Sequence, residues 1–145
     1  MKKGLYIGAA LLSTCILSGC GSKVLECNRS NDYSEEMKMN QTVKATFKGK
    51  EVTNLTMNMN ITLSENYLEY RDNLKSSIED EFSNLKNSDG VSFNTKDTSN
   101  GFTFNLDANI TKMDEKSKGE LNLLNTKQSY EDAKKEFEDE GYTCK

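Results

Sequence analysis

The chain has 145 residues, 19 basic against 23 acidic for a net charge of −4 at neutral pH, and contains no histidine, tryptophan or proline. Without histidine, every Ser-His-Asp or Cys-His nucleophilic arrangement is excluded, together with zinc sites built on imidazole. The acidic balance also lacks the basic footprint by which proteins hold nucleic acid, so no nucleic-acid partner is expected.

Lys2 and Lys3 open the chain with positive charge, and Leu5 to Leu17 follows as an apolar run broken only by Gly8, Ser13 and Thr14. This is the layout of a secretory signal. The run is shorter than the roughly 20 residues a helix needs to cross a hydrocarbon core. Its end, Leu17-Ser18-Gly19-Cys20, resembles the lipobox of bacterial lipoproteins. The resemblance implies that the Cys20 thiol accepts a diacylglyceryl group and becomes the first residue of the mature chain. Each buried methylene adds about 0.8 kcal/mol, so two or three chains of the palmitate type would anchor the protein lastingly. The expected division is a signal over 1–19, a lipidated tether over 20–23 and a single domain over 24–145. Cys15 lies in the apolar run and is removed with it. The heavy use of Asn and Lys goes with an AT-rich genome and, beside the lipobox, suggests a low-GC Gram-positive bacterium.

Removing Lys2 and Lys3 from the 19 basic residues leaves 17 against 23 acidic ones, a net charge of −6 on the mature chain. Such a surface is not drawn flat onto anionic lipid, which leaves the anchoring to the acyl group. A chain of this length buries a little under roughly 70% of its unfolded surface, enough for a core. Cys27 and Cys144 stand near the two ends of the mature chain. Outside the cytoplasm such a pair reads as a disulfide, worth about 4 to 5 kcal/mol by loop closure. No CxxC motif accompanies them, so a catalytic thiol is not expected.

Along the domain, Val24 to Ser30 reads as a short strand ending in a turn around Asn31-Asp32. Met37, Met39, Val43, Ala45 and Phe47 then alternate with Lys38, Asn40, Thr42, Lys44, Thr46 and Lys48, a period of two with one wet face. Lys48-Gly49-Lys50 supplies a turn. Leu55, Met57, Met59, Ile61 and Leu63 alternate with Asn54, Thr56, Asn58, Asn60 and Thr62, which closes a long hairpin. Val52 is out of phase, which predicts a bulge near Thr53.

Ser64-Glu65 has the form of a helix cap. Tyr67, Tyr70, Leu74, Ile78, Phe82 and Leu85 recur at three and four, predicting a helix of about six turns laid on the odd face of the hairpin. Glu79-Asp80-Glu81 reads as a solvated face, since calcium wants alternating Asp/Asn ligands with a turn glycine. Val91 and Phe93, a turn at Asn100-Gly101, and Phe102, Phe104, Leu106, Ala108 and Ile110 form a second hairpin. Lys112 to Gly119 reads as a polar connection, with Leu121, Leu123 and Leu124 available to the core. Thr126 or Ser129 caps a last helix with the stripe Tyr130, Ala133 and Phe137, stopped by Gly141 at C′. Tyr142 and Cys144 lead back toward Cys27. The expected fold is therefore α+β: an antiparallel sheet of about five strands in hairpins with two helices on one face, in the order β-β-β-α-β-β-α.

Given the lipobox, the Thr46-Phe47-Lys48-Gly49-Lys50-Glu51-Val52 hairpin, the central helix, the second hairpin and the closing Phe137 to Tyr142 segment ending Glu-Gly-Tyr, the chain resembles the YehR-like family of small bacterial lipoproteins. The likeness spans nearly all of the mature chain. It implies an α+β domain of unknown function tethered outside the cytoplasmic membrane, with no catalytic residues to carry over. The Cys27 and Cys144 pair departs from that family's pattern.

Two classes of function are then weighed. A non-catalytic envelope module would bind an unknown envelope protein or polymer through the polar sheet face, where Thr42, Lys44, Thr46, Thr56, Asn58, Asn60, Asn105 and Asn109 line up, while diacylglyceryl-Cys20 holds the membrane. A related reading is an immunity or inhibitor lipoprotein that blocks another protein at the cell surface. A carboxylate hydrolase is the catalytic alternative. The obvious Asp and Glu residues fall on helix faces or in turns, and no phosphate loop or nucleophile elbow is present. No cofactor or metal is expected, and the protein is read as no enzyme.

Overall fold

Alternating polarity becomes one mixed-face sheet in the computed structural model, which describes residues 21–121 and 125–145. Strands β1 (Lys23–Asp32), β2 (Met37–Lys48), β3 (Glu51–Leu63), β4 (Val91–Thr98), β5 (Gly101–Asn109) and β6 (Thr143–Cys144) lie in the order β4-β5-β3-β2-β1-β6. Every pairing is antiparallel. The signal and lipidation readings on Met1 to Cys20, and the readings on Leu123 and Leu124, lie outside the described residues.

The odd positions of β2 and the matching positions of its neighbours form one dry surface. Leu25, Cys27, Val43, Ala45, Phe47, Leu55, Met57, Ile61, Phe102, Phe104, Leu106 and Ala108 are buried. Each large side chain taken from water there contributes roughly 1.5 to 3 kcal/mol. Phe82 stacks on Phe104 with ring centroids 5.0 Å apart, and Phe93 meets Phe104 at 5.9 Å. Thr46 pairs with Asn54 and Phe47 with Val52, which leaves Thr53 as the extra residue of a bulge. That bulge returns Val52 to the dry face.

Among the described residues the sheet has six strands where about five were expected. Thr143–Cys144 is the addition, paired with Cys27 and Asn28. Two residues carry no readable alternation, and the disulfide between Cys27 and Cys144 holds them in place at a sulfur separation of 2.00 Å. The strand β1 also begins at Lys23, one residue into the expected tether.

The helical layer is more broken than the expected two helices. The single six-turn helix is instead a 3-10 turn (Glu65–Tyr70), helix α1 (Arg71–Glu81) and a second 3-10 turn (Ser83–Leu85). The spacing explains the division: steps of four from Tyr70 to Phe82 suit an α-helix, whereas the steps of three from Tyr67 to Tyr70 and from Phe82 to Leu85 suit a 3-10 turn. Ser83 Oγ donates to the Asp80 carbonyl at 2.7 Å, which satisfies a helix-end acceptor locally. The helix α1 lies over the second hairpin, and its Leu74 shares a groove with Met37 of the first. Lys75 reaches Asp97 at 2.6 Å and Thr95 donates to Glu79 at 2.5 Å. Ser64 makes no capping bond.

The supposed polar connection contains a 3-10 turn (Ile110–Lys112) and a short helix α2 (Glu115–Glu120), capped by Asp114, whose Oδ1 accepts from Ser117 N–H at 2.7 Å. The helix α3 (Tyr130–Asp139) starts at Ser129, whose Oγ accepts from Asp132 N–H at 3.2 Å. It ends as expected at Gly141, with φ of 89°. The Tyr142 N–H reaches the Phe137 carbonyl at 2.9 Å and Gly141 N–H reaches Glu138 at 3.0 Å, the paired bonds of a Schellman ending.

Candidate functional site

Among the described residues, no helix covers the even-numbered face of β2, and none of its polar side chains is buried. Register sorts that face into rows. Asn28, Thr42, Asn58, Asn105 and Asn94 succeed one another across five strands. Glu26, Lys44, Thr56, Asp107 and Ser92 form the next row, and Ser30, Asn40, Asn60, Thr103 and Lys96 flank it on the other side.

The amide row is bonded across itself. Thr42 donates to Asn28 Oδ1 at 2.7 Å, Asn58 donates to Asn105, and Asn105 donates onward to Asn94 at 3.4 Å. Such cross-strand pairs stiffen a sheet face at a few tenths of a kcal/mol each. The spare amide groups still point to water, so the row is a fixed array of donors and acceptors.

The other predicted positions divide by what they already hold. Lys44 pairs with Glu26 at 2.9 Å, and Lys145 approaches the other oxygen of Glu26 at 3.2 Å. These two hydrogen-bonded ammonium groups push the Glu26 carboxyl down to about 2. Thr56 lies between Lys44 and Asp107, and Asn60 between Asn40 and Thr103. Thr46 sits beside the bulge, where its carbonyl accepts from Thr53 Oγ1 at 3.2 Å. Asn109 is committed elsewhere, since its Oδ1 accepts from Thr111 N–H at 3.2 Å and caps the following turn.

All eight predicted positions thus share one face, and five-strand register adds Asn28 and Asn94 to the central row. Their inclusion needed the strand order, although the alternation Val91, Ser92, Phe93, Asn94 already put Asn94 on the wet side. Beside the second row, Asn54, Thr56, Gly90, Ser92, Asp107 and Asn109 rim an open hollow of about 310 Å³.

The dry side holds one polar device that alternation does not show. Gln41 is buried at 7% exposure between Arg29, which donates to its Oε1 at 3.2 Å, and Met57. Arg29 itself lies over the Tyr142 ring at 4.5 Å and donates to the Glu140 carbonyl at 3.2 Å. It therefore ties β1, β2 and the chain end into one packed unit. Among the described residues no three His, Cys, Asp or Glu side chains gather as a metal site would require, and no helix is long and apolar enough to cross a membrane.

No family model and no curated protein matches the chain. A solution structure of a protein from Streptococcus pneumoniae TIGR4 is similar over the whole of this chain and 96% of its own, with a TM-score of 0.58 at 16% identity. At that identity the likeness concerns the fold.

Proposed function

We propose that the chain is a lipid-anchored extracytoplasmic lipoprotein of the YehR-like kind, which binds a partner in the cell envelope through its open sheet face and performs no catalysis. The observation that supports it most is the amide row Asn28, Thr42, Asn58, Asn105 and Asn94. It is a hydrogen-bonding surface preset by the backbone register, which lowers the ordering cost of recognition. The Leu-Ser-Gly-Cys20 sequence supplies the leash. The carboxylates nearest the row fit a structural role, because Glu26 is held between two lysines.

The test is to purify the full chain from its membrane and measure retention of envelope polymers and proteins. Asn58→Lys and Asn105→Lys together should abolish retention of the partner while leaving the thermal midpoint within a few degrees, because both side chains are on the wet face. Unchanged retention would reduce the face to ordinary solvated sheet.

A further inference from the structure

Among the described residues, three of the four large apolar side chains that stand exposed, Tyr33, Tyr67 and Tyr70, gather at one end of the sheet, where Met37 pairs with Leu63. Tyr67 and Tyr70 are 40% and 48% exposed, with ring centroids 5.5 Å apart. They wall a groove of about 490 Å³ with Met37 and Leu74 as its apolar floor and Asn66, Glu69 and Asn73 at its rim. The predicted stripe would have put both rings in the core. The 3-10 turn over Glu65–Tyr70 turns them outward instead.

Charge gives the groove its sign. Glu35, Glu36 and Glu65 occupy the adjoining turns, and neither they nor Glu69 form an ion pair with any described residue. The two cations of α1 are engaged elsewhere: Lys75 binds Asp97 at 2.6 Å, while Arg71 lies 3.6 Å from the same carboxylate and donates to the Thr98 carbonyl at 3.4 Å. Among the described residues, no lysine or arginine lines the groove. Paired aromatic faces, free carboxylates and amide oxygens together favour a cation with an apolar stem. An anionic ligand would meet repulsion without one compensating donor charge.

We infer that this groove binds an arginine- or lysine-bearing peptide segment of a partner protein, with the cationic head over Tyr67 and Tyr70 and beside Glu69. The inference is separate from the open sheet face and survives if that face binds nothing.

The full chain is titrated by calorimetry with a short Arg-Gly repeat peptide, a Glu-Gly repeat peptide and chitohexaose as probes. The Arg-Gly peptide should bind saturably and the other two should not. Tyr67→Leu with Tyr70→Leu should weaken it roughly tenfold, since a desolvated cation–aromatic contact is of that order. Glu69→Gln should weaken it severalfold, and so should raising salt from about 0.05 to about 0.3 M. Lys116→Ala, on the exposed side of α2, should change nothing and serves as the folded control. The inference is overturned if the Arg-Gly peptide fails to saturate, or if the double tyrosine variant binds it equally well. Preference for chitohexaose would overturn it too, and would mark the groove as a glycan site.

Discussion

Among single residues, Glu26 is the one whose ionisation the fold alters most. Lys44 and Lys145 hydrogen-bond its carboxylate, and the group falls from its ordinary 4.5 to about 2. A folded value below the unfolded one stabilises the native state fully above about pH 4.5, and that contribution is lost as the pH drops through about 2. Denaturant unfolding of Glu26→Gln should therefore show a deficit at neutral pH that narrows through this window and vanishes below it. A deficit that is constant with pH would mean that the carboxylate's charge is irrelevant. Lys145 ties this pair to the chain end, and the Glu26 and Lys145 backbones exchange hydrogen bonds of 2.9 and 3.1 Å. The charge pair and the terminal strand thus depend on one another.

At the scale of elements, the start of β5 admits no side chain. A Cβ on Gly101 would lie 1.9 Å from the Ile61 carbonyl oxygen, which belongs to the neighbouring β3. Gly101→Ala should cost about 3 kcal/mol or more, read as a fall in the denaturation midpoint, because backbone rather than a flexible side chain must move. A drop of under about 1 kcal/mol would show that the strand end relaxes freely. The turn expected at Asn100-Gly101 falls one residue earlier, at Ser99-Asn100, because Gly101 already pairs with Thr98 as the first residue of β5, and the reason for its glycine was visible only once β5 lay against β3. The same holds more widely. Long alternations such as Met37 to Phe47 and Leu55 to Leu63 announced their strands and even the bulge at Thr53, since burial on one face forces a period of two. The helical layer was legible only in part. Steps of three and four were read as one helix when they marked three segments, and α2 buries only Ser117, leaving no stripe to find. The wet face was readable position by position, but its rows depend on strand order, which is a long-range property. The tyrosine groove was misread because a stripe in sequence does not say which of its members the turns leave outside.

For the whole molecule, topology and the proposed anchor bear on each other. Gly21 lies at the end of the sheet where Lys23 pairs with Phe47, next to the turn at Gly49. The acidic tyrosine groove lies at the other end, where Met37 pairs with Leu63. About ten strand residues at roughly 3.3 Å each separate the two, some 33 Å. Anchored at Cys20, the domain would stand on its Lys23 end with the groove turned outward and the amide rows facing sideways. The Cys27–Cys144 bond joins positions 117 residues apart, closing the chain's far end onto the strand nearest the anchor. Loop closure on that scale is worth about 5 kcal/mol in the chain-entropy description. That bond would hold the edge of the sheet together where the leash pulls. This orientation depends on the acyl group. Intact mass spectrometry of the protein extracted from its native membrane, followed by fragmentation of its first peptide, measures it directly. The account predicts a chain that begins at Cys20 and carries a diacylglyceryl group on that sulfur, whereas an unmodified Cys20 thiol, or a chain still carrying residues 1–19, would contradict it.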